Sequence, residues 1–314
     1  MLKFDFMNKG ILKNNSILIT GGTGSLGKAL TRELVKNNKI IIYSRNEERQ
    51  YEMKKEFNNN SNIIFRIGDV RDTETLKSAL RGCNIAIHAA AMKDLMMVEE
   101  QPTQGCLNNI DGSKSFILAV NETPTVKKAI GISTDKAASP SNVYGMTKYI
   151  MEKLFIEAGN NSDKIFACSR FGNMINSRGS AIVSWMNHPE LEIKIHHPEM
   201  ARFFFTINDA VKTVIDTISG AKSGEIYIPK MKKALILDIL KIIFKKDTFE
   251  VAGIFPGEKI HEDLVGEQER FFCFDHGDYY VIKPGIINSK PPAAFSTLNA
   301  VSFTNKELNK LIFS

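Results

Sequence analysis

The sequence has little of what builds covalent or metal frameworks. Its 314 residues include four cysteines, at 83, 106, 168 and 273, none in a C-x-x-C pair. Neither a disulfide frame nor a zinc site is expected, and a reducing compartment, the cytoplasm, fits. The six histidines form no H-E-x-x-H, so no metal is expected. No apolar run reaches the roughly 18 residues of a membrane span. Residues 1–16 lack the long apolar stretch and cleavage site of a secretory signal. No internal repeat or low-complexity segment is present. What remains is an ordinary globular balance, 43% hydrophobic and 24% charged, with ample material for a core. At ~100–200 residues per domain, the length suits one large domain or two modest ones. The net charge of +6 points weakly to an anionic partner. It is concentrated in Lys230, Lys232, Lys233, Lys241, Lys245 and Lys246, with Asp238 as the one acid among them. Leu235, Ile239, Ile242 and Ile243 give helical spacing there, so the stretch reads as a solvated helix face. Apart from Phe244, no aromatics are interleaved with these lysines, and no nucleic acid is expected.

Short apolar runs predict strands at 16–20, 39–43, 62–67, 84–88, 127–133 and 164–169, with helices between them, such as 73–80 and 144–158. This alternation predicts an α/β fold, a Rossmann-type doubly wound parallel sheet. After about residue 175 the rhythm loosens, with strand-like pieces at 191–195 and 225–228. We expect a cofactor domain over 1–175, its sheet completed by parts of 200–230, and a smaller substrate-binding domain over 176–314. The Phe203-Phe-Phe205 run is expected in the core. Residues 302–314 read as a capped helix starting near Thr304 and Asn305.

Three constellations can carry chemistry. The first is Gly21, Gly24 and Gly27, between a strand and a helix. Glycine permits the tight turn and close backbone approach, and the helix N-terminus offers amides to a pyrophosphate, so a dinucleotide is expected. The next strand ends in Ser44 and Arg45, not an acid. This favours the 2′-phosphate of NADP, against the counter-argument of Glu47 and Glu48. Asp69 and Val70, after the third strand, are placed to meet adenine; the alternative for Asp69 is a turn residue. The second constellation is Tyr144 and Lys148, four apart on one helix face. A lysine ammonium there is expected to lower the phenol towards neutrality, making it a base for a substrate hydroxyl. The third is Ser133-Thr-Asp-Lys136, at the C-terminal end of the fifth strand. Asp135 and Lys136 form an acid–base pair, which an elimination needs; the alternative is a surface ion pair.

These residues resemble the extended short-chain dehydrogenase/reductases, and within them the soluble inverting UDP-N-acetylglucosamine 4,6-dehydratases (5-epimerising). The resemblance runs from about Asn14 to Leu311. It rests on Thr20-Gly-Gly-Thr-Gly-Ser-Leu-Gly27, Tyr43-Ser-Arg45, Gly68-Asp-Val70, His88-Ala-Ala-Ala-Met-Lys93, Ser133-Thr-Asp-Lys136, Tyr144-Gly-Met-Thr-Lys148, Arg170-Phe-Gly-Asn173, Ser177-Arg-Gly-Ser180 and Pro256-Gly-Glu-Lys-Ile-His-Glu262. It implies a catalytic set of Thr134, Asp135, Lys136, Tyr144 and Lys148. It implies cofactor contacts from Gly21, Thr23, Gly24, Ser25, Leu26, Gly27, Ser44, Arg45, Asp69, Val70, Ala89, Ala90, Lys93, Tyr144 and Lys148. Lys93, Asn173, Arg178, Arg202 and Glu258 would meet a UDP-sugar, UDP-N-acetylglucosamine. Internal hydride transfer with NADP would oxidise sugar carbon 4, and water would be lost across carbons 5 and 6. The result would be a 4-keto-6-deoxy-L-sugar. The resemblance also implies a homo-oligomer, a hexamer in soluble relatives, that does not enter membranes. Two departures stand out. Phe255 occupies a position where the family carries arginine, and 106–112 is one residue shorter, which is expected to tighten a turn. A nucleotide-sugar 4-epimerase remains an alternative, in which Asp135 and Lys136 would have no task. A non-catalytic NADP-binding regulator is the other.

Overall fold

Runs such as Ile17-Leu-Ile19 and Ile40-Ile-Ile42 carry apolar side chains on both faces, which suits strands covered by helices on both sides. The computed structural model describes residues 12–175, 177, 179–188, 190 and 192–313. Its first half alternates as expected: β1 (Ser16–Thr20), α1 (Ser25–Leu34), β2 (Lys39–Ser44), α2 (Glu47–Glu56), β3 (Ile63–Ile67), α3 (Thr73–Leu80) and β4 (Ile85–His88). Next, α4 (Leu95–Glu100) and α5 (Pro102–Cys106) lead through a π-helical turn, Leu107–Asp111, into α6 (Gly112–Asn121). β5 (Lys128–Thr134), a tight turn at Asp135–Ala137, α7 (Val143–Asn160) and β6 (Ile165–Phe171) follow. The remainder holds β7 (Asn173–Met174), α8 (Ala181–Asn187), β8 (Ala201–Phe205), α9 (Ile207–Gly220), β9 (Ile226–Pro229), β10 (Lys232–Leu235) and α10 (Ile236–Phe244). It ends with β11 (Asp263–Val265), β12 (Cys273–Asp275), β13 (Tyr279–Ile282), β14 (Phe295–Ser296) and α11 (Asn305–Ile312).

The large sheet has the order β12-β13-β9-β6-β5-β4-β1-β2-β3. From β3 to β9 every pairing is parallel; β13 and β12 extend it antiparallel. The order 3-2-1-4-5-6 is that of a doubly wound dinucleotide-binding sheet, whose crevice opens at the carboxyl ends of β1 and β4. A second, three-stranded sheet, β10-β8-β7, carries its own apolar cluster with α8, α10 and α11. The two parts interleave in sequence, because β9, β12 and β13 return to the large sheet while β8 and β10 do not.

Three expectations change. Of 191–195, only Ile195 pairs, in a single bridge with Val251, and Leu191 lies outside the described residues. The 230–246 stretch is not one helix face. Lys232–Leu235 pairs with β8 first, because Ala234 must bury against that sheet before the helix begins. The short 106–112 segment is a widened π turn, not a tightened one. That turn places the Asn109 amide against the backbone of Met92 (2.8 and 2.9 Å) and the Thr147 hydroxyl (3.0 Å), tying the loop after β4 to α7. The Phe203–Phe205 run is buried, as its composition suggests.

One buried ionic joint ties β6 and α7 to the segment from β11 to Glu269. Arg170 on β6 is fully buried. Its guanidinium donates to Glu152 of α7 (2.9 and 2.6 Å), to Glu269 (2.7 and 2.8 Å) and to the Leu264 carbonyl (3.0 Å). Ser133 at the end of β5 donates to the same Glu152 carboxylate (2.5 Å). Removing one partner of such a group strands the others in low dielectric. Arg170→Met should therefore cost about 3–5 kcal/mol in urea unfolding; a loss below ~1 kcal/mol would contradict the joint. Burial pushes the Glu269 carboxyl up, but Arg170 pulls it further down, below the usual range. Its contribution is present above ~4.3, the value of an unfolded glutamate, and is lost as pH falls through the lower folded value. Glu269→Gln should flatten the acid limb of stability against pH.

Candidate active site

The glycine turn is set by steric contact. Gly21 has φ +63°, and a Cβ there would lie 2.8–2.9 Å from the Ala89–Ala90 backbone. A Cβ on Gly27 would meet the Gly22 backbone, so only glycine lets α1 start this close to β1. No side chain caps α1 at Gly24, and its first turn, Ser25 to Gly27, points its amides into the crevice with the helix dipole behind them. Thr23 and Leu26 are buried beneath. The cradle fits a dinucleotide pyrophosphate.

Behind it runs a chain of neutral hydrogen bonds. The Ala89 and Ala90 amides both donate to Thr20 Oγ1 (3.2 Å each). The Thr20 hydroxyl hydrogen is therefore directed to His88 Nδ1, 3.0 Å away. His88 Nε2 is left to donate to Ser113 Oγ (3.1 Å), which donates to the Asn109 carbonyl (2.5 Å). This assignment requires a neutral imidazole. Burial, helped by Lys148, pushes His88 down to about 3.

At the adenine end, Ser44 Oγ accepts from Gln50 (3.0 Å), and Arg45 is exposed. Arg71 forms a two-point pair with Asp69 (3.0 and 2.6 Å), which holds that carboxyl below its usual range. Val70 is buried against Gly112. Lys93 is exposed in the loop between β4 and α4.

The reactive end lies where β5 stops. Asn142 caps α7 by accepting from the Gly145 amide (2.8 Å). That cap turns Tyr144 back over the Asp135–Ala137 turn, where Gly145 packs on the Lys136 carbonyl. Thr134 Oγ1 donates to Asp135 Oδ1 (2.8 Å), and Lys136 Nζ donates to the same oxygen (3.1 Å). Asp135 Oδ2 is buried without a hydrogen-bond partner among the described residues, and faces the glycine surface of Gly172. Lys136 Nζ also lies 3.6 Å from Glu262 Oε1. Burial pulls Lys136 down; the two carboxylates outweigh it and hold the ammonium above its usual range.

The expected lowering of Tyr144 does not appear. Burial dominates and pushes the phenol up to about 12, although Lys136 and the neighbouring Thr134 hydroxyl oppose it. Lys148 is itself brought down to about 8 by burial, and its Nζ lies 2.9 Å from Met151 Sδ.

Glu262 continues outward. Arg202 Nε is 3.8 Å from it, Arg202 Nη2 is 3.7 Å from Glu258, and His196 Nδ1 is 2.8 Å from Glu258. The fold thus links Asp135, Lys136, Arg202 and Glu258 in one row. Asn173 stands nearby, donating to the Phe203 carbonyl (3.1 Å). Arg178 lies outside the described residues. The sequence reading left Glu152, Asn109, His196 and Glu262 without roles. A carboxylate four residues beyond Lys148 was a usable signal for Glu152, and Glu262 lay inside a quoted motif. His196 gave none, because its partner is 62 residues away.

Against known proteins, a family model described as polysaccharide biosynthesis protein matches residues 17–284. The chain is 39% identical over 285 residues to the UDP-N-acetylglucosamine 4,6-dehydratase (inverting) of Campylobacter jejuni serotype O:23/36, covering 88% of this chain and 85% of that one. It is 35% identical over 284 residues to the UDP-glucose 4-epimerase of Rickettsia bellii, covering 86% and 83%. The crystal structure of Pen from Bacillus thuringiensis superposes with a TM-score of 0.89 at 32% identity, covering 97% and 99%. No helix among the described residues is long and apolar enough to cross a membrane. With this coverage and the doubly wound sheet, the chain belongs to the polysaccharide biosynthesis protein family and has the fold of the short-chain dehydrogenase/reductases.

Proposed function

We propose that this protein is a UDP-N-acetylglucosamine 4,6-dehydratase of the inverting kind, using NADP. The observation that supports it best is the buried Asp135–Lys136 pair, 3.1 Å apart at the end of β5 and beside Tyr144. A surface turn pair would sit in water; this one is almost fully buried. The 39% identical Campylobacter jejuni protein carries the same activity in its name.

NADP, when bound, would supply the hydride acceptor and later the donor, so no net oxidation results. Gly21, Gly24 and the start of α1 would hold its pyrophosphate, with Ala89 and Ala90 lining the crevice. Ser44 and Arg45 would meet the 2′-phosphate. Asp69 is already engaged by Arg71, which leaves its carboxylate poorly placed to serve a ribose hydroxyl.

Tyr144 accepts the proton of the sugar 4-hydroxyl; the Lys136 charge, before the Thr134 hydroxyl, is what favours its phenolate. The new ketone acidifies the carbon 5 proton. Moving one proton from the Lys136 ammonium to Asp135 makes a base and an acid at once. Lys136 then takes the carbon 5 proton while Asp135 protonates the departing 6-oxygen, and the original ion pair returns. The elimination balances within the pair; the hydride that the reduced cofactor would return to carbon 6 is matched by one solvent-exchangeable proton delivered to carbon 5 on the opposite face, equal in number to the one Tyr144 accepted. Arg202 and Lys93 would face the diphosphate, with Asn173, Glu258 and, by position, Arg178 around the nucleotide-sugar. Assembly as a homo-oligomer in the cytoplasm belongs to the same reading.

A 4-epimerase is the second reading, favoured by the Rickettsia bellii relative. The two separate on one variant. Mixed with UDP-N-acetylglucosamine and no added cofactor, the purified holoprotein should give a 4-keto-6-deoxy product by NMR. Lys136→Ala should lower that turnover at least ~100-fold. An epimerised, undehydrated product that survives Lys136→Ala would establish the epimerase instead. Lys148 acts as an ammonium, and its folded value lies near 8. It is charged below that pH and neutral above, so kcat/KM should fall as pH rises through about 8; a flat profile to about pH 9.5 would remove Lys148 from that role.

A further inference from the structure

The row of charges that begins at Asp135 has its other end in partial contact with solvent, and that end is a histidine. Among side chains with ordinary pKa values, histidine alone changes charge between about pH 5 and 8. His196 lies between α8 and β8, with Nδ1 at 2.9 and 2.8 Å from the two oxygens of the Glu258 carboxylate. Phe255 meets its ring edge-on, 4.7 Å between centroids, and brings no charge. On the other side of Glu258 stands Arg202. Its Nη1 is fixed to the carbonyls of Ala201 (2.9 Å) and Ile260 (3.2 Å). Its Nε and Nη2 reach Glu262 and Glu258 only at 3.8 and 3.7 Å, too long for hydrogen bonds. Glu258 therefore stands between a guanidinium, which is a permanent cation, and an imidazole. The other charged or titratable groups of these segments are His197 and Glu199 beside His196, Glu192, the Lys194–Glu250 pair (2.6 Å), His261, which meets the Thr297 hydroxyl (3.2 Å) and is held below its usual range by burial, and Lys259, which holds Asp263 (3.2 Å).

We propose that His196 is a pH-dependent positioning residue for the anionic part of the nucleotide-sugar. As imidazolium it neutralises Glu258 and leaves the outer nitrogens of Arg202 to the diphosphate. As imidazole it leaves Glu258 uncompensated, and the carboxylate draws Arg202 away. The sign follows from charge: affinity is highest where the imidazole is protonated and falls where it is neutral. This inference rests on the nucleotide-sugar reading of the cleft, not on the dehydration step.

The test is equilibrium binding of UDP-N-acetylglucosamine, whose diphosphate diester stays fully ionised, from about pH 5.5 to about 8.5. The cofactor-loaded Tyr144→Phe protein is used, since it cannot begin the reaction. The dissociation constant should rise about tenfold across this range. In the added presence of His196→Gln it should be flat and weak, and in that of His196→Arg flat and tight. In the otherwise native enzyme, KM should follow pH with the same His196 dependence. A pH dependence unchanged in His196→Gln, or none at the outset, would overturn the proposal. Binding with the expected pH dependence, in a protein whose native form makes no 4-keto product, would uphold it and remove the dehydratase reading alone. Normal product formation with pH-independent binding would do the reverse.

Discussion

A lysine ammonium held inside the protein between two carboxylates is the constraint on which this structure turns. Burying an unpaired charge costs several kcal/mol even after relaxation. Lys136 is nearly inaccessible, yet it keeps its proton because Asp135 and Glu262 flank it at 3.1 and 3.6 Å. Those carboxylates are buried in turn. Arg202 stands 3.8 Å from Glu262, and Glu258 and His196 continue the alternation outward. Each charge is tolerated because of the next, so the reactive pair cannot be understood apart from a row that reaches the protein's edge. Loss of either carboxylate, or a single proton shift within the pair, would change which group is acid and which is base.

The fold supplies that row from distant parts of the chain. Asp135 and Lys136 come from the turn after β5, Arg202 from β8, and Glu258 and Glu262 from the segment before β11. The Ala201 amide of β8 donates to the Ile260 carbonyl (3.0 Å), and Arg170, on β6, is joined at once to α7, to the Leu264 carbonyl and to Glu269. Glu152 is the shared partner of Arg170 and of Ser133, so the same joint fixes α7, which carries Tyr144 and Lys148, against the end of β5. The cofactor crevice is set separately. There the close approach of Gly21 to Ala89 and Ala90 brings the ends of β1 and β4 together.

Much of this was legible in the sequence, for a physical reason. The βαβ alternation is written in local apolar runs, and the glycine turn in residues that no side chain could replace. Tyr144 and Lys148 are one helical turn apart, and Asp135 and Lys136 are adjacent, so their proximity needed no tertiary knowledge. What was not legible depends on distance along the chain or on burial. His196 and Glu258 are 62 residues apart, and Arg170 and Glu269 are 99. The expected lowering of Tyr144 considered only a neighbouring charge, whereas desolvation sets the direction. The 230–246 lysines read as one helix face, but edge pairing of Lys232–Leu235 with β8 took the first half. The π turn at Leu107–Asp111 reads as a missing residue in sequence, and only the fold shows that it aims Asn109 at α7.

The central claim is that Lys136 and Asp135 exchange one proton to dehydrate the sugar. It is tested most directly by running the reaction in deuterium oxide and reading carbon 5 of the product by NMR. The account predicts a 4-keto-6-deoxy product with inverted configuration at carbon 5 and deuterium at that position, and with the carbon 6 hydrogen derived from carbon 4. A product that keeps its carbon 5 hydrogen, or retains the 6-hydroxyl, would contradict it.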